Sequence, residues 1–439
     1  MRAAVQGALA MDAVTGVRGR TLIEGGRRFA RGTGWFARLV APRFARLLAR
    51  IDAALVSGTI HGVLPDGTPC TLGGRTPGFE CEVHLKSWTA LVRLASNGSV
   101  GWYQAWAAGE WWSPDPVPLF ALFMQHAERL GDTARAKGPF RAALKLAHLF
   151  NRNTPSGARK NIAAHYDLGN DFYAAWLDET MTYSSARWDV WRHPNRYGQM
   201  CDHLAYGQLG KIKCIQERLP LGPGDRLLDI GCGWGGPASI IAARGVSIDA
   251  ISLSDEQLEW ARAALPDTLA GRVEFRKQDY RDIGDAYDGI YSIEMVEALG
   301  RENWPAFMDC LAHNLKPGGR AALQFISMRD DLFDAYAASA DFIQAYVFPG
   351  GLLIRISEFR RLAEDRGLAW RDQADFGADY AETLRLWRAN FDRAVEEDRL
   401  PAGFDADFID LWRYYLMYCE GGFRGGGIDV HQVTLVKGE

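Results

Sequence analysis

The sequence lacks several features that would place it at once in a common class. Its 439 residues hold 50 basic and 54 acidic side chains, so the chain has no overall positive charge for binding nucleic acid. No apolar run approaches the roughly 18 residues that span a bilayer. Its seven cysteines are odd in number and form no CxxC pair, which argues against a disulfide framework and a zinc site. The apolar stretch at the start of the chain is too short for a signal peptide. We therefore expect a cytoplasmic protein without a structural metal.

Positive charge is concentrated at the start of the chain. Residues 1–50 contain ten arginines, no lysine and two acidic residues. Within them, GWFARLVAPRFARLLARI interleaves aromatic and leucine residues with arginines at near-helical spacing. One interpretation is a basic amphipathic segment that lies on an anionic bilayer surface. The other is a helix whose apolar stripe packs on its own domain while its arginines are solvated. The sequence leaves both open.

The pattern of the chain changes near residue 150. Residues 58–130 have the rhythm of short strands with a PDG turn, followed by the aromatic run VGWYQAWAAGEWW. A basic helix and a polar linker lead out of this part. From about residue 205, apolar runs alternate with helical segments and predict a doubly wound parallel α/β sheet, ending in a strand at IDVHQVTLV. We expect a smaller α+β domain in residues 1–150 and an α/β domain in residues 151–439.

A glycine-rich turn follows the first strand of the predicted sheet. LLDIGCGWGG places Asp229 at the strand end and Gly231, Gly233 and Gly235 in the loop before a helix. Glycines let the backbone turn tightly and approach a ligand that side chains would block. The absence of a GK[ST] sequence excludes a triphosphate loop. The GxGxG spacing resembles motif I of the class I S-adenosylmethionine-dependent methyltransferases, although a strand–turn–helix without a ligand has the same pattern.

Two further segments suit that cofactor. In KQDYRD, Asp279 is placed to accept a hydrogen bond from the adenine amino group, and Tyr280 to flank the base. SLSDEQ follows the second strand, where Ser252, Ser254 and Gln257 are the groups available for the ribose hydroxyls. Each set also fits plain surface polarity, but the three segments occur in the order that a cofactor site requires.

Several motifs together closely resemble the cyclopropane-fatty-acyl-phospholipid synthase family, which includes the mycolic-acid cyclopropane synthases. They are AHYDLGNDFYAAWLD, TYSSARW, LLDIGCGWGG, LSDEQ, QDYRD, SIEMVEALG, FIQAYVFPGG and YAETLRLW, and NGSVGWYQAWAAGEWW is the counterpart of the family's lipid-facing domain. The resemblance covers most of the chain. It implies the class I (Rossmann-like) methyltransferase fold, with a smaller lipid-facing domain before it.

The resemblance also implies a reaction. In this family, a methyl group passes from S-adenosylmethionine to a cis double bond in an acyl chain of a membrane phospholipid, and a carbocation results. A base, commonly a bound bicarbonate, then removes a proton from the transferred methyl group and a cyclopropane ring closes. The resemblance therefore implies an enzyme at the inner face of a membrane. It favours a homodimer and leaves open a partner reductase.

The family's site residues carry over unevenly. The Glu, the Tyr and the backbone amide of the bicarbonate site match Glu297, Tyr346 and Ile326, and the Tyr-Ser pair that touches the cofactor matches Tyr183 and Ser184. Four positions depart from the family pattern. These are Ser185 for a Cys, Gln324 for a His, Glu294 for a Gly and Ala298 for a His. The departures put a bound bicarbonate in doubt.

Glu294 is the departure with the largest chemical consequence. Two like charges about 4 Å apart repel by about 4 kcal/mol at an effective dielectric constant near 20, so a glutamate here opposes a bicarbonate. Two close carboxylates can also share a proton, which raises one pKa. We hypothesise that Glu294, with Glu297, Gln324 and Tyr346, replaces bicarbonate as cation stabiliser and base, and that a proton lost from a chain carbon leaves a methyl- or methylene-branched product. The alternative is that Glu294 faces solvent or caps the next helix while bicarbonate still binds.

Two rival functions remain open at this stage. The fold also suits a methyltransferase for a small soluble acceptor, although the aromatic amino-terminal part and AYVFPGG are not needed for one. The substitutions at Ser185, Gln324 and Ala298 also fit a lipid-binding protein that has lost its activity. The intact GCGWGG and QDYRD sequences argue against that second rival.

Overall fold

A computed structural model describes residues 18–27, 41–131, 168–188, 204–338 and 341–439. Three predictions fall partly or wholly outside these ranges. They are the first part of the basic amino-terminal segment, the basic helix with its linker, and the domain boundary near residue 150. The division into residues 1–150 and 151–439 therefore stays a prediction.

The amino-terminal part contains the short strands that its turn-rich sequence predicts. Strands β1 (Thr59–Val63), β2 (Pro69–Gly73), β3 (Glu80–Leu85) and β4 (Trp111–Trp112) form one sheet in the order β2-β1-β3-β4. The PDG turn joins β1 to β2, and Gly67 within it has a φ of +84°, a conformation that suits glycine. The helices of this part are α1 (Arg20–Arg27), α2 (Ala41–Ala54), α3 (Thr89–Ala107), α4 (Val117–Gln125) and α5 (Ala127–Leu130).

Helix α2 shows where the described end of the basic segment lies. Phe44 and Ile51 are buried, and the Phe44 ring stacks on Trp88 with centroids 5.2 Å apart. Arg46 and Arg50 are exposed. The apolar stripe of α2 is thus packed against the protein, which favours the second interpretation for this helix.

The second part is built around a seven-stranded sheet. Its strands are β5 (Arg226–Ile230), β6 (Ser247–Ser252), β7 (Val273–Lys277), β8 (Tyr287–Ile293), β9 (Leu315–Met328), β10 (Leu368–Asp375) and β11 (Ile428–Lys437). The order is β10-β11-β9-β8-β5-β6-β7, with β11 antiparallel to both of its neighbours and the strands from β9 to β7 parallel. The predicted α/β class and the predicted strands are confirmed, and β10 is an additional strand that the sequence reading missed.

Helices cover both faces of this sheet. They are α6 (Asn170–Ala174), α7 (Leu204–Arg218), α8 (Gly236–Ala242), α9 (Asp255–Ala264), α10 (Trp304–Asn314), α11 (Asp330–Ala337), α12 (Phe342–Tyr346), α13 (Ile356–Glu364), α14 (Gly377–Glu396) and α15 (Ala406–Arg424). None of the helices in the described ranges combines the length and the apolar character needed to cross a bilayer.

One hydrophobic cluster joins the amino-terminal helices to the second part. The ring of Tyr103 on α3 lies edge-on to Tyr414 on α15, with centroids 5.0 Å apart, and Phe342 contacts the same tyrosine at 4.8 Å. Phe120 on α4 packs against Tyr414 from another side. Helices α3, α4 and α15 therefore share an aromatic layer, and the cavity described below lies among them.

A hydrogen-bonded group ties the three strands at one edge of the sheet. His431 shares one hydrogen bond with Ser327 through Nε2 and one with Asp375 through Nδ1, each 2.7 Å long. Asp429 lies close enough to make this a conceivable metal-binding group. Because both ring nitrogens already have partners, cross-strand hydrogen bonding accounts for the group.

Candidate active site

The site begins where β8 ends, at a residue with unusual backbone geometry. Glu294 has a φ of +50°, which is uncommon for a residue with a side chain and costs about 1–2 kcal/mol. The family that the chain resembles has glycine here, and glycine adopts this conformation freely. The Glu294 N–H donates a hydrogen bond of 2.8 Å to the Gln324 carbonyl on β9. Glu294 thus occupies a backbone conformation that favours glycine, and the contacts of its side chain stabilise this conformation.

The Glu294 side chain points into the protein. Its Oε1 accepts hydrogen bonds from the Ser185 N–H at 2.9 Å and from Gln324 Nε2 at 2.7 Å. Its Oε2 accepts one of 2.7 Å from the Tyr380 hydroxyl. The alternative in which Glu294 faces solvent or caps the next helix is therefore wrong for this structure.

Lys211, on α7, is the buried cation near Glu294. It is inaccessible to solvent, and its Nζ donates a hydrogen bond of 2.5 Å to Ser184 Oγ. Burial lowers the pKa of Lys211 to about 7, and the charges of Glu294 and Asp178 oppose that fall. Burial raises the pKa of Glu294, while the Lys211 charge and three hydrogen-bond donors oppose the rise. An ionised Glu294 thus has a nearby counter-charge and donors on both oxygens.

Glu297 differs from Glu294 in having one uncommitted oxygen. Its Oε1 accepts a hydrogen bond of 2.5 Å from the Ile326 N–H, and its Oε2 has no partner in the part of the chain that the structure describes. Burial, and then the negative charge of Glu294, raise the pKa of Glu297 to about 8. A carboxyl group with a pKa near neutrality and one free oxygen is suited to exchange a proton with a neighbouring molecule.

The residues do not fit a bound bicarbonate. The N–H groups of Ser185 and Ile326 already donate to the two glutamates, and the Gln324 amide donates to Glu294. Ser185 Oγ donates to the Ala186 carbonyl at 2.8 Å. The donors expected to hold the anion are therefore occupied by side-chain carboxylates, in line with the doubt that the sequence raised.

Tyr346 is not brought into the cavity wall beside the two glutamates. Its hydroxyl accepts a hydrogen bond of 3.2 Å from Gln104 Nε2, and its ring lies edge-on to Tyr103 with centroids 4.6 Å apart. The side chain is buried in the aromatic layer between α3 and α15. The structure thus shows no hydrogen bond between Tyr346 and Glu297, because Tyr346 packs against α3.

A cavity of about 370 Å³ lies against the two glutamates. This volume is within the range of small-molecule sites. Most of the wall is apolar or aromatic and comes from α3, α4, α15 and the segment after α12. Gly98, where α3 departs from helical geometry, also lines the cavity. Glu294, Glu297, Ala298, Tyr183, Ile326 and Tyr380 contribute to the same wall. The carboxylates therefore face a largely oily space.

The predicted Tyr-Ser pair divides between two environments. The hydroxyls of Tyr183 and Tyr415 share a hydrogen bond of 2.8 Å, and both side chains line the cavity. Ser184 is buried and holds Lys211. Just before this pair, the Thr180 carbonyl lies 2.5 Å from where a Cβ of Gly236 would be, so the segment runs directly over the glycine loop. The assignment of Tyr183 and Ser184 to the cofactor stays a prediction.

The glycine loop has the geometry that a close ligand requires. Gly231, Gly233 and Gly235 all have positive φ, from +54° to +86°. A Cβ on Gly231 would collide with Met295 and one on Gly235 with Phe275, whereas one on Gly233 would meet no atom within 4 Å. The open side of Gly233 is thus the direction from which S-adenosylmethionine can approach the backbone.

Asp229 lies buried at the end of β5 beneath the loop. Burial raises the pKa of Asp229 to about 7, and the neighbouring Tyr291 side chain opposes the rise. Asp229 Oδ2 and the Tyr291 hydroxyl are both buried without a well-formed hydrogen bond among the described residues. An orphaned buried carboxylate oxygen is costly unless a ligand or water completes it. The acceptor oxygen of Asp229 and the open backbone of the glycine loop together fit the cofactor.

The other predicted cofactor residues are occupied by local contacts. Ser254 is the N-cap of α9 and accepts a hydrogen bond from the Gln257 N–H at 3.2 Å, while Ser252 Oγ donates to Gln257 Oε1. Asp279 accepts two side-chain hydrogen bonds from Arg281, of 2.8 and 2.6 Å. Helix capping is a sufficient reason for Ser254.

Tyr280 is the predicted cofactor residue with the most extensive core contacts. Its ring packs edge-on against Phe307 of α10, with centroids 5.8 Å apart, and it is buried in the core. Burial raises the pKa of Tyr280 to about 12. Packing in the core is a sufficient reason for Tyr280, and its contact with the adenine base stays a prediction.

The structure adds functional candidates that the sequence reading did not single out. Trp234 Nε1 donates to Asn170 Oδ1 at 2.7 Å and so links the glycine loop to the segment above it. Tyr380 lies in the motif YAETLRLW, which contributes to the family resemblance but gives no indication of a role for this tyrosine. Lys211 and Gln432 carried no sequence signal, because a buried lysine in a helix and a glutamine in a terminal strand resemble surface residues.

Comparison with known proteins gives a consistent group of relatives. Residues 153–433 match the model of the family described as mycolic acid cyclopropane synthetase. The tuberculostearic acid methyltransferase UfaA1 of Mycobacterium tuberculosis is 37% identical over 353 residues, which are 79% of this chain and 80% of the relative. The cyclopropane-fatty-acyl-phospholipid synthase of Escherichia coli K12 is 33% identical over 362 residues, 81% of this chain and 88% of the relative.

A solved structure resembles the second part of the chain. The crystal structure of mycolic acid cyclopropane synthase CmaA1, complexed with SAH and CTAB, superposes with a TM-score of 0.57 at 28% identity. It covers 64% of this chain and 98% of that one. The two proteins therefore share a fold, and the SAH bound in that structure agrees with the cofactor expected at the glycine loop.

Proposed function

The chain belongs to the mycolic acid cyclopropane synthetase family, and from that premise we propose that it is a fatty-acyl-phospholipid C-methyltransferase. It transfers a methyl group from S-adenosylmethionine to the double bond of an unsaturated acyl chain. The observation that carries the proposal is the oily cavity lined by two partly buried glutamates, which follow β8, the neighbour of the strand β5 that leads into the glycine loop. A small polar acceptor has no need of such a wall, whereas an acyl chain is completed by it.

The cavity supplies position and dryness. When bound, S-adenosylmethionine provides an electrophilic methyl group, and an isolated double bond is a weak nucleophile that must be held in line with it. The apolar wall from α3, α4 and α15 binds the chain and excludes water. A dry wall also strengthens every electrostatic interaction inside it. The rate of methyl transfer therefore depends on residues far along the sequence from the glycine loop.

The two glutamates have different roles in this proposal. Methyl addition to one alkene carbon leaves a positive charge on the other, and the ionised Glu294, held by three donors, stabilises that charge. The rings of Tyr183 and Tyr380, which line the same wall, add their negative faces. The free Oε2 of Glu297 then takes a proton from the acyl chain.

The product depends on which proton Glu297 removes. Loss of a proton from the transferred methyl group, with a new bond to the cationic carbon, closes a cyclopropane ring. Loss of a proton from a chain carbon next to the cation leaves a methyl-branched chain with one double bond. Because Glu294 fills the place where a bicarbonate would act, we favour the branched product. A partner reductase would be needed to saturate it.

The proposed substrate also defines where the enzyme works. The acyl chain of a phospholipid is reached from a membrane surface, so the enzyme is peripheral at the inner face, in the cytoplasm. Anionic lipid attracts basic segments by about 1 kcal/mol per residue near the surface, and residues 1–50 are rich in arginine. Association as a homodimer belongs to the same proposal.

Product identification tests the proposal. The protein is expressed in a host with unsaturated phospholipids, labelled methyl groups are supplied, and the acyl chains are analysed by gas chromatography and mass spectrometry. We expect chains that carry one added, labelled carbon as a branch. The triple variant Ser185→Cys, Gln324→His and Glu294→Gly restores three of the four departures from the family pattern and is expected to gain cyclopropane product. A clean cyclopropane product from the unaltered protein would overturn the branched assignment, and labelled small amines without labelled lipid would overturn the substrate class.

A further inference from the structure

A chain of buried hydrogen bonds runs from Arg187 to Glu294. Arg187 donates to Gln432 Oε1 at 2.9 Å, and Gln432 Nε2 donates to Gln324 Oε1 at 2.9 Å. Gln324 Nε2 in turn donates to Glu294 Oε1 at 2.7 Å. Gln324 and Gln432 are directly paired neighbours on β9 and β11, and both are inaccessible or nearly so. Neither glutamine can exchange its partners for water.

The direction of this chain is fixed at its arginine end. A guanidinium group only donates hydrogen bonds, so Gln432 must turn its carbonyl oxygen toward Arg187. Its NH₂ group then faces Gln324, where it requires an acceptor. Gln324 must therefore turn its own oxygen toward Gln432 and its NH₂ group toward Glu294. The guanidinium group thus fixes the orientation of both amides.

Secondary contacts agree with the same orientations. Gln432 Nε2 also lies 3.4 Å from the Lys211 carbonyl, and Gln324 Nε2 lies 3.3 Å from the Ser185 carbonyl. Carbonyl oxygens only accept. Arg218 Nε lies 3.5 Å from Gln432 Oε1 and adds a second donor there. Each of these contacts therefore pairs a donor with an acceptor when both amides have the orientations given above.

We propose that Arg187 and Gln432 are positioning residues that act through the Gln324 amide to hold Glu294 as an ionised carboxylate. The proposal rests on the proposed function, because an ionised Glu294 is what stabilises the positive charge on the acyl chain. An Oε1 that receives donors from both Gln324 and Ser185 has no place for a proton. The other charged and titratable groups facing Glu294 are Lys211 on α7, Glu297 after β8 and Tyr380 on α14.

Infrared difference spectroscopy of the purified, full-length protein tests the proposal without substrate or cofactor. Ionised and protonated carboxyl groups absorb at different frequencies, and subtracting the spectrum of Glu294→Gln isolates the signal of Glu294. In the unaltered protein we expect this signal to be that of a carboxylate throughout the neutral range. In Gln432→Met, Gln324 loses its orienting donor, and we expect the pKa of Glu294 to rise by about one to two units, the equivalent of a hydrogen bond to a charged group. Each difference spectrum uses the matching variant that also carries Glu294→Gln.

Thr434→Val is the matched control. Thr434 is equally buried, lies two residues along on the same face of β11, and accepts a hydrogen bond of 3.2 Å from Arg218. This variant removes only the acceptor of a partly buried hydrogen bond from Arg218 Nη1 and leaves the Arg218 Nε beside Gln432 in place, so the Glu294 signal should not move. If Gln432→Met does not fold, Arg187→Met tests the same chain from its other end.

Three results overturn the proposal: a protonated Glu294 in the unaltered protein, an unchanged Glu294 pKa in both chain variants, or an equal change in Thr434→Val. The test is separate from the proposed function. A protein that shows the expected titration but methylates no acyl chain refutes the function and leaves the positioning role standing. A protein that methylates acyl chains with an unmoved titration refutes only the positioning role.

Discussion

The hydroxyl of Tyr380 donates a hydrogen bond of 2.7 Å to Oε2 of Glu294, from a helix 86 residues further along the chain. We predict that Tyr380→Phe slows methyl transfer by about tenfold to a hundredfold, because a hydrogen bond to a charged group contributes about 1.5–3 kcal/mol. Substrate binding should change little, since the ring remains in the cavity wall. Steady-state kinetics with unsaturated phospholipid vesicles, resolved into kcat and KM, measure the effect.

Tyr414→Phe provides the comparison for this variant. Tyr414 is buried in the aromatic layer, and its hydroxyl has no hydrogen-bond partner within the described ranges. Removing an unsatisfied buried hydroxyl should leave kcat unchanged and should not lower the melting temperature. Equal losses of kcat in the two variants would show that Tyr380 acts through packing alone.

A second prediction concerns Glu297, whose pKa is raised to about 8 by burial and by the neighbouring Glu294 charge. A base must be deprotonated to work, so product formation should rise with pH and level off above about 8. Glu297→Gln should lower the rate by about a hundredfold to ten-thousandfold and abolish this rise. Glu302→Gln, at an exposed glutamate in the following turn, should keep the profile of the unaltered protein. A flat profile in the unaltered protein would contradict the role of Glu297.

The same raised pKa predicts how stability changes with pH. Between the ordinary value of 4.5 and about 8, folded Glu297 holds a proton that the unfolded chain has released. The folded state binds more protons in this window, so the contribution of Glu297 to the free energy of unfolding falls as pH rises. Glu297→Gln removes this contribution. Urea unfolding from pH 5 to 8 should therefore show the variant gaining stability relative to the unaltered protein, and a constant difference would contradict the pKa shift.

The sequence predicts those parts of the site that depend on a local pattern of neighbouring residues. It does not predict contacts between segments that are far apart in the chain. The glycine loop and the strand–helix alternation are local patterns, and the structure has them where they were expected. Strand β10 was missed because it is polar, lies at the sheet edge and is interrupted by an irregularity between Arg371 and Ala374. Edge strands lack the apolar run by which a buried strand is recognised.

The side chains around Glu294 show the other limit. Sequence comparison with the family singled out Glu294 and Gln324, but their partners Tyr380 and Gln432 come from α14 and β11. A glutamine in a strand and a tyrosine in a helix carry no sign of what they face. Tyr280 and Ser254 show a related limit: their positions after strands suit a ligand, but core packing of Tyr280 and helix capping by Ser254 also account for them, so their assignment to the cofactor stays a prediction.

A fourth prediction tests the glycine loop. A Cβ on Gly233 would meet no protein atom within 4 Å, so Gly233→Ala should fold at the cost of about 1–2 kcal/mol for its positive φ. The added methyl group points into open space, where we expect S-adenosylmethionine to approach the loop, and should weaken its binding at least tenfold. Isothermal titration calorimetry with S-adenosylmethionine measures the affinity. Gly271→Ala has the same backbone cost and the same open surroundings away from the loop, so its affinity should be unchanged.

The last prediction concerns Lys211, whose pKa burial lowers to about 7 from an ordinary value of 10.5. Between about pH 7 and pH 10.5, Lys211 binds a proton in the unfolded chain but has lost it in the folded protein. Stability contributed by Lys211 therefore increases as pH rises from about 7 to 10.5, by at most about 1.4 kcal/mol per pH unit. Lys211→Met abolishes this dependence, so the unaltered protein should become more stable relative to the variant as pH rises.

Kinetics separate this effect from the role of Lys211 beside the site. Below about pH 7, where Lys211 is charged, removing it leaves Glu294 without its counter-charge, so the pKa of Glu294 should rise further and methyl transfer by Lys211→Met should be slower than that of the unaltered protein on this acidic side of the profile. Lys213→Met is the control, because Lys213 lies two residues along α7 with its side chain 42% exposed and paired with Glu217. It should change neither profile. If Lys211→Met keeps the pH profile of the unaltered enzyme while losing the pH-dependent stability difference, the lysine supports the fold and does not act on Glu294.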